Sequence, residues 1–269
     1  MTATATEYKT IMVTHQDGVA TLTLNRPDSL NAISDELTTE LIDALKTLER
    51  DKSVQVIILT GDGRAFSSGQ DLSELKEKYV PGHIPELGDD LRRRYNPIVM
   101  RIRTMKKLVI AAVNGVAAGA GCSLALACDL RIASEKASFI EVFVNVGLIP
   151  DSASTFILPR LIGLGRAMEL CCTGRKVTAE EAMAIGLINK LVPSDALATE
   201  AQTMAARLAA MPSQAIALTK RLLNEALDND LPTQLEAEAF AQETAGKTSD
   251  HFEGVTAFLE KRTPKFNGS

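Results

Sequence analysis

A chain of 269 residues, 45% hydrophobic and 23% charged, has the apolar material for one large domain, or one domain with a smaller appendage. Its 29 lysines and arginines against 34 aspartates and glutamates leave a net charge of −5, a field that does not favour nucleic acid or an anionic membrane. No apolar stretch is long enough to span a bilayer. The opening MTATATEYKT lacks the charged start and apolar core of a signal peptide and reads as a short disordered lead-in. Next, TIMVTHQDGVATLTLN alternates apolar and polar residues on both sides of Asp17-Gly18, which predicts a hairpin. SDELTTELIDALKTLERD predicts a helix capped by Ser34, with Leu37, Leu41, Ile42, Leu45 and Leu48 on its apolar face.

VQVIILTG is a short buried strand, and KLVIAAVNG and DLRIAS repeat the form, so strands and helices alternate as in an α/β core. Between them, Leu72 to Met105 is polar and broken by Pro81-Gly82 and Pro85, which suggests a mobile flap beside a site. Within it the run Arg92, Arg93, Arg94 reads as a solvated helix face. Beyond about Leu148 the chain turns helical, with Pro193, Pro212 and Pro232 near the breaks.

The 4 cysteines (Cys122, Cys128, Cys171, Cys172) lack zinc spacing, and an adjacent pair is unlike a disulfide framework, so a reducing cytoplasm is the expected location. The 3 histidines, His15, His83 and His251, are too scattered to suggest a metal site or a serine–histidine triad. Two glycine turns carry more information. LTGDGRAFSSGQDL runs a strand into Gly61, Gly63, Ser67, Ser68 and Gly69, where the backbone can approach a ligand closely. VIAAVNGVAAGAGCSLALACD runs a strand past Gly115, Gly119 and Gly121 into an apolar helix, whose first N–H groups would face the strand's end. Two such donors aimed at one oxygen make an oxyanion hole. From spacing alone, both clusters serve equally well as tight turns in close packing. Gly119-Ala120-Gly121 imitates a dinucleotide fingerprint, but Leu124 stands where the third small residue belongs.

The motifs RPDSLNAIS, GRAFSSGQDLSEL, KLVIAAVNGVAAGAGCSLALACDLRIASEKASF, GLIPDSAST, CTGRKVTAEEA and EGVTAFLEKRTPKF, spread over nearly the whole chain, resemble the crotonase (enoyl-CoA hydratase/isomerase) superfamily. The resemblance implies an α/β, ClpP-like spiral of β-β-α units over residues 1–200 and a helical trimerisation region over 201–269. It implies an acyl-CoA thioester as substrate, with no cofactor beyond the CoA the substrate itself carries, and a homotrimer or dimer of trimers. It places the oxyanion hole at the backbone N–H groups of Gln70 and Ala120. Ala65, Ser67, Ser68, Gly69, Gln70, Asp71 and Leu72, with Gly119 and Ala120, would line the substrate, while Phe258 and Lys261 would close over the CoA.

Where the hydratases of the family carry two glutamates, this chain has Ser123 and Phe143. Water addition normally needs that pair, one acid to activate water and one to manage the proton. Glu141 is near in sequence but is expected to face elsewhere. Asp151, in GLIPDSAST, stands where the subgroup resembling 1,2-epoxyphenylacetyl-CoA isomerase and some 3-enoyl-CoA isomerases carries its single acid. Read without the resemblance, Asp151 would cap a helix after Pro150. The leading expectation is therefore an isomerase. The alternatives are a hydratase working with one acid and a silent acyl-CoA-binding protein of the same fold.

Overall fold

The computed structural model describes residues 8–74 and 86–268. The opening hairpin pairs β1 (Ile11–Gln16) with β2 (Val19–Leu24) antiparallel. Asp17 and Gly18 both take positive φ, 50° and 77°, the conformation a two-residue hairpin turn requires. Helix α1 (Asp35–Arg50) starts where the Ser34 side chain accepts a hydrogen bond from the Leu37 N–H, and it buries Leu37, Leu41, Leu45 and Leu48.

Three strand pairs then repeat one plan: β3 (Val56–Gly61) with β4 (Ala65–Ser67), β5 (Leu108–Val113) with β6 (Val116–Ala118), and β7 (Leu130–Ser134) with β8 (Ser138–Ile140). The first strand of each pair joins a six-stranded sheet, completed by β10 (Lys190–Val192), in the order β1-β2-β3-β5-β7-β10. The second joins a four-stranded sheet, completed by β9 (Lys176–Thr178), in the order β4-β6-β8-β9. This is the β-β-α spiral that the resemblance implies. In the large sheet every pairing from β2 onward is parallel, and both faces are covered. Ile57 and Leu59 of β3 enter one core with α1, while Val56 and Ile58 enter a second core on the opposite face.

Helix α2 (Asn96–Thr104) follows a π turn at Leu91–Tyr95 and buries Ile98, Val99 and Ile102. Of the expected flap, residues 75–85 lie outside the described residues; from Leu91 onward the segment is packed helix instead. The reason is that Tyr95, Ile98, Val99 and Ile102 recur at helical spacing behind the arginines. Arg92 and Arg93 do face solvent, paired to Asp89 and Asp90. Arg94 does not: it is buried against Asp35 at 2.6 Å.

After β6 comes helix α3 (Ala120–Ala127), all of whose residues are buried. Helices α4 (Ser154–Ile162), α5 (Leu164–Thr173) and α6 (Ala179–Ala184) complete the spiral. Helix α7 (Leu197–Ala209) covers the second face of the large sheet with Leu197, Ala201 and Ala205, so residue 200 falls inside an element of the core. Helices α8 (Ser213–Glu225), α9 (Leu231–Gly246) and α10 (Ser249–Leu259) end the chain. No described helix is long and apolar enough to cross a membrane.

Candidate active site

The two glycine turns lie against each other at the ends of β4 and β6. A side-chain carbon added to Gly121 would fall 2.5 Å from the Ser67 carbonyl oxygen, and one added to Gly69 would fall 2.7 Å from the Ala118 oxygen and 3.4 Å from the Ala120 nitrogen. Only glycine permits that approach. Past β4 the chain pairs with Ile33: the Ile33 N–H donates to the Gly69 oxygen at 2.7 Å, and the Asp71 N–H donates to the Ile33 oxygen at 3.1 Å. Strand alternation then turns the Gln70 N–H to the other side, the side of β6. Ala120 is the first residue of α3, so its N–H has no carbonyl within the helix to bond. Among the described residues neither N–H has a hydrogen-bond partner.

The surrounding side chains brace this backbone. Ser67 Oγ donates to the Asn31 oxygen at 2.8 Å, and Asn31 Nδ2 donates to the Asp62 and Ala65 oxygens. Asp71 is paired with Arg26 at 2.8 Å and accepts from Ser73 Oγ at 2.6 Å; burial pushes its carboxyl up, but these bonds outweigh burial and hold it below its ordinary value. Leu72 is exposed. Of the sequence-derived residues, Ala65 to Leu72, Gly119 and Ala120 therefore come together. Phe258 and Lys261 stand exposed at the end of α10, and no hydrogen bond or ion pair among the described residues ties them to these turns.

Asp151 follows Pro150 and precedes two residues in the left-handed region, Ser152 at φ 51° and Ala153 at φ 69°. Its side chain does not cap α4, contrary to the capping alternative. The helix begins at Ser154 behind Ala153, without a side-chain cap. The carboxylate instead accepts from its neighbour Ser152 Oγ at 2.8 Å. Burial raises its proton affinity, against the lowering effect of that bond. Ser152 lines a narrow apolar cavity, with room for about one water, with Ile33, Leu41, Tyr95, Ile98, Val99, Ala120 and Leu124. The cavity thus lies between Ser152, the neighbour of Asp151, and Ala120, the residue with the free amide. Roomier grooves run beneath the C-terminal helices, along Lys106, Lys107 and Ser213 for example, and none is bordered by these residues.

Behind α3 lies a group that the residue pattern did not reveal. Glu141, expected to face elsewhere, is turned inward and is 3% exposed. Its Oε1 is 3.0 Å from Ser154 Oγ, which is 2.8 Å from Ser123 Oγ, and Ser123 Oγ is 3.2 Å from the Gly119 oxygen. Burial pushes the Glu141 carboxyl up to about 7, with the nearby charge of Asp151 acting the same way. Phe143 is buried, with its ring tip beside Gly119. The signal for Glu141 was available in the serines at 123 and 154, which offer hydroxyls to a buried acid, but only the fold brings them together. Among the described residues no group of histidine, cysteine, aspartate and glutamate is arranged to hold a metal ion.

The spiral and its paired turns define a crotonase fold, and relatives agree. The family model for enoyl-CoA hydratase/isomerase matches residues 14–269. The chain is 46% identical to the 1,2-epoxyphenylacetyl-CoA isomerase of Escherichia coli (strain K12), over 94% of this chain and 96% of the relative. It is 36% identical to the short-chain-enoyl-CoA hydratase of Clostridium acetobutylicum, over 95% of this chain and 97% of that one. Among solved structures, the enoyl-CoA hydratase from Bacillus anthracis superposes with a TM-score of 0.91 at 36% identity, covering 97% of this chain and 100% of that one. The chain belongs to the enoyl-CoA hydratase/isomerase family, whose members act on acyl-CoA thioesters.

Proposed function

We propose that this protein is an acyl-CoA isomerase. The Gln70 and Ala120 N–H groups receive the thioester oxygen and stabilise the enolate that forms when a proton leaves the adjacent carbon. Asp151 takes that proton and returns it further along the acyl group, so a 3-enoyl bond moves to the 2-position. With a ring epoxide on a phenylacetyl group, the same polarisation opens the route to a seven-membered oxepin, and in both cases every atom of the substrate is retained. CoA enters only as part of the substrate, and no separate cofactor is required.

The observation that carries this reading is the separation of the acids. Asp151 is half-buried, is bonded to Ser152 on the wall of the narrow apolar cavity and is spared from capping. Ser123 and Phe143 supply no acid, and Glu141 is held behind α3 by Ser154. One base that works on one face is enough for isomerisation. The name of the Escherichia coli relative supports a ring epoxide as one substrate, and so a role in phenylacetate degradation beside that in fatty acid metabolism. The names of the hydratase relatives support the second reading, hydration.

The subunits of this reading assemble as trimers or dimers of trimers. In support, Leu231, Leu235, Phe240, Phe252, Phe258 and Leu259 leave α9 and α10 with exposed apolar surface. Phe258 and Lys261 would then close over the CoA of a neighbouring subunit.

The test is to replace Asp151 with Asn, which preserves size and removes the base. Turnover of a 3-enoyl-CoA should fall by about 10²–10⁴ while folding is unchanged. Full activity in the Asp151→Asn protein would remove Asp151 from the mechanism. A parent that forms 3-hydroxyacyl-CoA from a 2-enoyl-CoA faster than it moves a double bond would make hydration the function. A parent that turns over neither would leave a binding protein.

A further inference from the structure

The narrow cavity beside the Asp151 turn contains one polar side chain without a hydrogen-bond partner. Tyr95 is 6% exposed, and its hydroxyl is buried with no hydrogen-bond partner among the described residues. The other walls are Ile33, Leu41, Ile98, Val99, Ala120, Leu124 and Ser152. Ser152 Oγ donates to Asp151 at 2.8 Å and makes no bond to the phenol. Leaving a hydroxyl buried and unbonded destabilises the fold, and native structures keep such groups rare. A phenylalanine would fill the same volume without that cost.

The backbone shows that this placement is built in. Tyr95 ends the π turn at Leu91–Tyr95, and such turns reset the phase of a helix and are frequent at functional sites. Arg94 lies 5.3 Å from the Tyr95 ring centroid and is itself fixed to Asp35 at 2.6 Å. Burial raises the phenol well above its ordinary value, and the Asp151 charge adds to that effect. Tyr95 is therefore a neutral O–H donor, close enough to Asp151 to feel its charge, and no other side chain on the cavity walls offers a free donor.

We propose that Tyr95 is a specificity-determining residue whose hydroxyl donates to an oxygen atom carried on the acyl group. The site is then matched to oxygenated acyl chains, a ring epoxide included, over plain 3-enoyl chains. This deepens the isomerase reading above and rests on it: the thioester oxygen occupies the Gln70 and Ala120 amides, and the acyl group widens the narrow cavity as it enters past Ser152. The hydrogen bond is made to a substrate oxygen that would otherwise lose its water on entering an apolar cavity, so its absence is felt by that class of substrate alone.

The experiment compares the parent and Tyr95→Phe on two substrates, the ring-1,2-epoxide of phenylacetyl-CoA and the straight-chain 3-hexenoyl-CoA. For the epoxide, kcat/KM should fall about 10–100-fold. For 3-hexenoyl-CoA it should stay within about twofold, and the Tm of the variant should equal or exceed that of the parent, because an unbonded buried hydroxyl has been removed. Equal losses on both substrates, or no loss on the epoxide, would overturn the assignment. Asp151→Asn is run beside it. If that variant is dead on both substrates while Tyr95→Phe does not discriminate, only the Tyr95 inference fails. A parent that isomerises neither substrate removes both readings.

Discussion

The two ends of helix α3 treat buried charge in opposite ways. At its C-terminal end, acids and bases are matched. Asp129 and Lys220 are paired at 2.7 Å with both side chains buried, and Lys220 Nζ also donates to the Ile102 and Lys107 oxygens. Asp129 accepts in addition from the Val109 N–H, and Arg131 donates to the Leu126 and Cys128 oxygens that close the helix. Cations at a helix C-terminus complement its dipole. At the N-terminal end, Glu141 and Asp151 are raised by burial, and the groups that perturb them include no cation. The amide of Ala120 is left open. The matched end fastens α8 to the core; the unmatched end keeps its acids ready to exchange protons and its donor ready for an incoming oxygen.

Breaking the matched end should have the largest effect on stability. Lys220→Met keeps most of the stem and strands the Asp129 carboxylate, whose burial already raises its proton affinity. Unfolding free energy from urea titration should fall by about 3–5 kcal/mol. Adding Asp129→Asn should return part of that loss, because the remaining group is neutral. A Lys220→Met protein as stable as the parent would show that hydrophobic packing alone holds α8.

The unmatched end should show itself through pH. Glu141 is raised from an ordinary 4.5 to about 7, so between those values the native protein holds a proton that the unfolded chain has released. Stability that comes from the neutral acid is complete below about pH 4.5 and is lost as pH rises through 7. Glu141→Gln does not titrate and keeps an oxygen for Ser154. It should match the parent near pH 5 and exceed it by about 2–3 kcal/mol near pH 8, measured by unfolding at both values. A constant difference at the two pH values would mean that Glu141 is ionised throughout.

The contrast also separates what the sequence discloses from what it hides. The hairpin, α1, the long parallel strands and the C-terminal helices follow from local patterns: Asp17-Gly18, the Ser34 cap, short β-rich runs and apolar stripes. The three-residue strands β4, β6, β8 and β9 carry too little pattern to show alone, and the resemblance supplied the sheet they build. The opposed glycine turns were legible because close backbone approach demands glycine at Gly69 and Gly121. The Glu141–Ser154–Ser123 chain and the unbonded Tyr95 hydroxyl were not. Each depends on side chains that are distant in sequence and meet only through the spiral. Tyr95 was also hidden by its neighbours, since three arginines made a buried helix look like solvated surface.

The smallest expected effect concerns the turn that carries Asp151. Ser152 and Ala153 are consecutive left-handed residues, and Ala153 at φ 69° and ψ 10° meets the steric penalty of a side chain in that region. The turn has no side-chain cap to offset the strain, and what it gains is position: the Ser154 N–H bonds the Asp151 oxygen at 3.0 Å, and Ser152 Oγ bonds the carboxylate. Glycine takes this conformation without the penalty, though it also gives the unfolded chain more freedom. Ala153→Gly should therefore stabilise the protein by at most about 1 kcal/mol, a rise in Tm of about 2–4 °C or less. Turnover should fall modestly with KM little changed, because the turn that aims Asp151 becomes looser. A variant more stable than the parent and slower than it would mark the strain as serving Asp151. A variant that loses stability would show that the strain is smaller than the freedom glycine adds to the unfolded chain.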